Sequence, residues 1–248
     1  MSVHAYLLAA TLAGALATTA CSGSEGSSSA RDGDASGTAN LSALRDFTHV
    51  EAAGPDTVIV SVGKSFAVAA QGDPKVLDTL DIKVVGGTLK IDRKTNWASF
   101  LHGGTDRGAT IRVAMPAIAG ASLTGSGDLS VDKADGPGLK LALTGSGDLN
   151  VAAVKVARLD ADITGSGGIT LAGVADSATL ASTGSGDVSG QGFKAAKASV
   201  SIAGSGDMDF ASDGSVDGRI LGSGNVTVTG KPQCKVTVMG SGEVHCGA

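Results

Sequence analysis

The residues of this 248-residue chain with the clearest chemical potential are four aspartates, Asp128, Asp148, Asp187 and Asp207, each directly after a Gly-Ser-Gly tripeptide. If the tripeptides stack on one another, Asp128 and Asp148 lie about 5 Å apart, as do Asp187 and Asp207. Stacked carboxylates attract hard cations such as Ca²⁺ through oxygen ligation. Calcium-binding glycine repeats, however, recur about every nine residues. Here the period is near 20, and Gly168 interrupts the column. The reading is therefore that each Asp accepts bonds from turn N–H groups, as in Asx-turns. Weak, screened cation attraction accompanies this, with no specific metal site and no cofactor.

Cysteine chemistry comes next. Cys234 and Cys246 lie six residues before and six after Gly240. In an oxidising compartment that spacing predicts a disulfide stapling the last repeat. Cys21 stands apart, after the apolar stretch 5–19, and is read as a lipid acceptor; lipidation leaves an even pair of thiols. Catalysis finds little support. His49, His102 and His245 are far apart in sequence, and none has a nearby Ser or Cys in an activated setting. A zinc site at His245 lacks ligands. Outward acids such as Asp160 and Asp162 leave a carbohydrate-active carboxylate pair as the enzymatic alternative. The short intervals leave no room for the long loops that build such grooves.

These residues are carried by a repeat. Seven Gly-Ser-Gly tripeptides begin at Gly125, Gly145, Gly165, Gly184, Gly204, Gly222 and Gly240, with intervals of 20, 20, 19, 20, 18 and 18. Their second glycines are Gly127, Gly147, Gly167, Gly186, Gly206, Gly224 and Gly242. Apolar residues alternate on both sides, as in Leu141 and Leu143 before Gly145, then Leu149 and Val151 after it. Ser182, Gly190 and Gly218 break the pattern. Each repeat thus predicts two short strands joined by a glycine turn. Such a unit cannot bury its apolar face alone, but stacked units can. The fold class is all-β: a right-handed parallel β-helix of ~20-residue coils, the hand following from the crossover rule. Ser130, Asn150, Thr170 and Thr227 then form an outward polar ladder.

Composition agrees with that fold and supplies an address. Aromatic residues are 3% of the chain, which fits thin aliphatic coils. A formal net charge of -5 argues against a nucleic-acid partner. Residues 1–20 read as a secretory signal peptide. The segment Thr18-Thr19-Ala20-Cys21 resembles a bacterial lipobox, although Thr18 stands where Leu, Val or Ile is usual and no Lys or Arg precedes Cys21. Residues 21–40 form a Ser/Gly-rich tether with a random-coil span of roughly 25 Å. Ser22, not Asp, follows the lipidated Cys, which favours outer-membrane sorting in a Gram-negative envelope. Residues 41–248 make one domain, with 41–118 as N-terminal strands and cap and 119–248 as the repeat coils. Within the first part, residues 74–80 predict a brief helix, and 96–108, with Trp97, Phe100 and His102, a loop.

The body resembles the putative auto-transporter adhesin, head-GIN domain family. The resemblance rests on the seven Gly-Ser-Gly-Asp-like turns with flanking Val, Leu and Ile, and on Gly230-Lys231-Pro232. Upstream it rests on Asp46-Phe47, Val58-Ile59-Val60-Ser61, Phe66-Ala67-Val68, Leu89-Lys90-Ile91 and the stretch from Ile111 to Pro116. It covers about residues 46–245. It implies a right-handed β-helix-like fold, a cell-envelope setting and adhesion, with no site residues to transfer. The expectation is a non-enzymatic, lipid-anchored envelope protein that binds a glycan or an envelope protein; the alternative is a structural or stress-related envelope role.

Overall fold

The computed structural model describes residues 37–41, 43–94 and 108–247. The expected signal peptide, Cys21, nearly all of the expected tether, and Trp97, Phe100 and His102 lie outside the described residues. The chain enters as β1 (Gly37–Asn40), then β2 (His49–Gly54), β3 (Thr57–Val62) and β4 (Ala67–Gly72). A single helical turn α1 (Pro74–Leu77) precedes β5 (Leu80–Val85), β6 (Thr88–Arg93) and β7 (Thr110–Met115). The repeat region runs through β8 (Gly120–Gly125), β9 (Asp128–Val131), β10 (Ala134–Gly145), β11 (Asp148–Gly165), β12 (Gly168–Gly184) and β13 (Asp187–Gly204). It ends with β14 (Met208–Ser212), β15 (Ser215–Gly222), β16 (Val226–Gly230), β17 (Gln233–Gly240) and β18 (Val244–Cys246). All eighteen strands join one hydrogen-bonded sheet, wound as a solenoid of about six turns.

The seven tripeptides stack in register. Gly125 pairs with Gly145, then Gly165, Gly184, Gly204, Gly222 and Gly240 in succession. Gly145 shows why the first position requires glycine: its φ is 125°, the left-handed side that a Cβ opposes. Gly147 shows a different constraint at the second position. A Cβ there would overlap the carbonyl oxygen of Gly127 on the preceding coil. The close approach is used for bonding, since Ser146 N and Gly147 N both donate to Gly125 O, at 2.9 and 3.1 Å.

The long central coils carry three short inward-facing segments, not the two expected. In β11 the buried residues are Leu149 and Val151, then Val154 and Val156, then Leu159, Ala161 and Ile163. Exposed pairs at 152–153 and 157–158 break the alternation and bend the chain. The third segment hides in the sequence because its inward column, Ala134, Val154, Gly173 and Phe193, shares no residue type. The three exceptions to the apolar pattern also have local causes. Ser182 is buried, but its hydroxyl donates to Gly186 O at 2.6 Å. A Cβ on Gly190 would overlap Asp209 O on the next coil and press on the Cβ atoms of Phe210 and Phe193, so glycine lets the backbones approach there. A Cβ on Gly218 would overlap Val200 O.

The first half does more than cover the end. β2 and β3 form a further coil ahead of the first tripeptide, in which Gly54-Pro55-Asp56 occupies the place of the tripeptide: Gly54 pairs with Gly125 and Thr57 with Asp128. The remaining strands then cap this coil. β6 and β7 run parallel to β2 and β3, while β5, β4 and β1 add antiparallel strands at the edges. α1 falls within the expected helix, with the Asp73 side chain accepting from Lys75 N.

Candidate functional site

The strand segment that follows each turn presents one continuous outward ladder. In register along it lie Arg112, Ile59, Ser130, Asn150, Thr170, Ser189, Asp209, Thr227 and His245. Parallel pairing sets these groups about 4.8 Å apart, because inward aliphatics fix the register and alternation turns the polar residues out. The expected members Ser130, Asn150, Thr170 and Thr227 fall on it. Ser189, Asp209 and His245 also belong; their signal was the same offset of five residues from the first glycine of each turn.

Beside this ladder runs the turn column. Asp148 Oδ1 accepts from Gly168 N at 3.1 Å, Asp187 Oδ1 from Asp207 N at 2.7 Å, and Asp207 Oδ1 from Asn225 N at 2.7 Å. Asn225 continues the series by accepting from Glu243 N at 3.0 Å. The carboxylates therefore bind backbone N–H groups, but those of the next coil and not of their own turn as in an Asx-turn. Gly168 has no side chain to offer, and Asp187 N donates instead to Gly167 O. Asp128 makes no side-chain hydrogen bond among the described residues. No group of three or more His, Cys, Asp or Glu among them has metal-binding geometry.

Over the last three coils the ladder and the column converge on a groove of about 610 Å³, lined by Asp207, Asp209, Asn225, Thr227, Glu243 and His245 among others. Its groups are mixed. The Asn225 amide donates to Asp207 Oδ1 at 3.0 Å. His245 Nε2 lies 3.3 Å from Glu243 Oε2 and pairs ionically when the ring is protonated. Ser189 Oγ donates to Asp209 Oδ1 at 3.4 Å, while Asp209 Oδ2 is buried without a partner. Such a surface can both donate to and accept from a ligand rich in hydroxyl groups.

The other candidate residues are spread over the molecule. Cys234 and Cys246 form a disulfide at the end of the solenoid, with Cα atoms 6.4 Å apart. Asp160 pairs with Arg158 Nε at 3.0 Å on a different side of the coil. Among the described residues His49 Nδ1 has a hydrogen-bond partner in its neighbour Thr48 Oγ1, at 3.1 Å. A further acid that sequence reasoning missed is Asp56, 3% exposed. Its carboxylate accepts from Arg93 Nε at 2.8 Å and from Ala109 N at 2.6 Å, tying the first turn to the cap. Its signal was the offset pattern of Val50, Ala52, Gly54, Val58 and Val60, which matches the repeats without the tripeptide itself.

Among the described residues no helix is long and apolar enough to cross a membrane. No curated protein matches the chain. Solved structures do. The fold is similar to a putative adhesin from Bacteroides fragilis, with TM-score 0.78, 19% identity, and coverage of 86% of this chain and 97% of that one. It is also similar to a putative lipid binding protein from Parabacteroides distasonis, with TM-score 0.67, 23% identity and coverage of 86% and 96%. A putative adhesin from Parabacteroides merdae matches with TM-score 0.66, 18% identity and coverage of 86% and 96%. Residues 46–232, carrying the first coil, the cap and most of the glycine turns, match the model of one family over most of the chain. The chain belongs to the family described as putative auto-transporter adhesin, head GIN domain.

Proposed function

We propose that this chain is a non-enzymatic binding module of a Gram-negative cell envelope, held to the outer membrane by a lipid on Cys21, and that its ligand is a glycan. The observation that carries this reading is the polar groove over the last three coils, where Asp207, Asn225, Thr227 and Glu243 converge on a stacked sheet. Groups locked in sheet register lose little conformational freedom on binding, which favours recognition of a repetitive polar ligand. The adhesin descriptions of relatives favour binding over catalysis. The Ser-rich run after Cys21 and the disulfide both suit an exported protein.

The test is binding of the chain to an array of envelope and host glycans, with and without Ca²⁺. The expected result is saturable binding to one glycan class, weakened by Thr227→Val. Absence of binding in both conditions overturns the glycan reading in favour of a structural envelope role. The mass of the mature chain checks the anchor separately, since it must include a diacylglycerol on Cys21.

A further inference from the structure

The capped end of the molecule holds a second groove, of about 200 Å³, between β3, β4 and β7. Ile59, Ala67, Ala69 and Ala114 are among the residues that floor it, and Lys64 and Arg112 supply its charge. Among the described residues no carboxylate lines it. The register explains why these cations stand uncovered. Arg112 pairs with Ala69 on one side and Ile59 on the other, and Ala114 pairs with Ala67. Small or apolar neighbours offer neither a counter-charge nor a covering side chain. Among the described residues, the Lys64 and Arg112 side chains make no hydrogen bond or ion pair. In a chain of net charge -5 this is a local reversal of sign, at the opposite end from Asp207, Asp209 and Glu243.

Where the chain enters gives the reversal a meaning. Ala69, in the groove, pairs with Asn40 of β1. Fifteen residues lie between Cys21 and Gly37, which is at most about 55 Å of extended chain from one to the other. A lipid on Cys21 would therefore join the chain to its membrane from the capped end, where β1 enters beside the basic groove. A guanidinium fork with a neighbouring ammonium matches phosphate oxygens.

We propose that this groove binds the phosphate of an anionic phospholipid headgroup in the membrane that carries the anchor. Docking there sets the capped end against the bilayer. His245 lies eight strand spacings from Arg112 along the ladder, about 40 Å away, so the polar groove points outward. The inference rests on the anchored-envelope reading above, and its test is independent of acylation.

Full-length chain carrying Cys21→Ala is sedimented with vesicles of phosphatidylcholine alone and of phosphatidylcholine with phosphatidylglycerol in equal parts. The expected result is binding to the anionic vesicles only. Arg112→Gln and Lys64→Gln each weaken it on the order of fivefold, while Lys197→Gln, on another side of the coil, leaves it unchanged. Equal binding to both vesicle types overturns the proposal, as does a Lys197→Gln loss equal to that of Arg112→Gln. Inorganic phosphate that binds the chain in the absence of any vesicle binding assigns the groove to a free anion and overturns the lipid. Groove-dependent vesicle binding by a native chain whose Cys21 carries no lipid would refute the anchor and leave the groove standing.

Discussion

The two ends of this solenoid face the same physical problem and meet it differently. A stacked sheet leaves unpaired N–H and C=O groups at each end, which invite pairing with other chains. At the N-terminal end a whole layer of structure answers: β6 and β7 cover the first coil, and antiparallel strands flank them. The join is a buried ion pair, since Asp56 holds both Arg93 and the Ala109 amide. At the C-terminal end no strand covers β17 and β18 among the described residues, and Met239 is 65% exposed. There one covalent bond, between Cys234 and Cys246, closes the last coil. Packing secures one end and a cross-link the other, so the two ends should fail in different ways.

The largest effect is expected at the capped end. Asp56→Ala leaves the Arg93 guanidinium, whose side chain is 18% exposed, without its carboxylate. Removing one partner of a buried pair costs about 3–5 kcal/mol. Urea unfolding should show a lower midpoint, because the pair joins the first coil to the cap packed on it. A midpoint within error of the parent would remove the ion pair from the comparison.

Loss of the disulfide is expected to act locally. The cross-link spans 12 residues, which the loop-entropy account values at about 3 kcal/mol. In a stack whose units touch only their neighbours, that loss falls on the last coil. Amides of β17 and β18 should exchange faster in Cys234→Ser/Cys246→Ser protein, while those of β10 to β12 keep their protection. Faster exchange throughout would mean that the coils unfold as one unit, and the contrast between the ends would collapse.

How much of this was legible in the sequence follows from how strictly each position is constrained. The turn glycines declare themselves because each must meet a carbonyl oxygen one coil away, and only one residue fits. The outward ladder could be read from alternation alone. The third segment of the long central coils could not, since Ala, Val, Gly and Phe all serve in its inward column. The first coil escaped for a different reason. Pro55 stands where Ser146 donates to the preceding coil, and at the first turn there is no preceding tripeptide carbonyl to accept. A residue without an N–H therefore suits that position, and it erases the motif while the fold continues. The Asp56–Arg93 pair joins residues 37 apart and has no sequence period at all.

The aspartate column offers a smaller version of the same contrast. Asp207 accepts two bonds from Asn225, whereas Asp128 makes no side-chain bond among the described residues. Asp207→Ala should cost about 1 kcal/mol, the ordinary net value of a lost hydrogen bond. Asp128→Ala should stay within about 0.5 kcal/mol, as exposed substitutions do. Paired denaturation curves check this, and equal losses would show that the column acts through summed charge and not through inter-coil bonds.

The smallest effect is a pH dependence near the open end. The Asp213 carboxylate pairs with the Lys194 ammonium and accepts from Lys231 N at 3.1 Å. The Lys194 bond first, and the Lys231 amide second, hold its pKa below the usual carboxylate value. A depressed folded pKa means that the contribution is present above the unfolded value of about 3.9 and fades as pH falls through the lower folded one. The pair is half-exposed, so the contribution is small and weakens with salt. Asp213→Asn should therefore melt slightly below the parent near neutral pH, and the gap should narrow at a pH below about 3.9. Because Asp213 bridges β13 to the segment before β17, the loss should appear first in amides of the last two coils. A gap that persists unchanged at acid pH would mean that the amide in place of the carboxylate fails for reasons of shape, and that charge has no part in holding the open end.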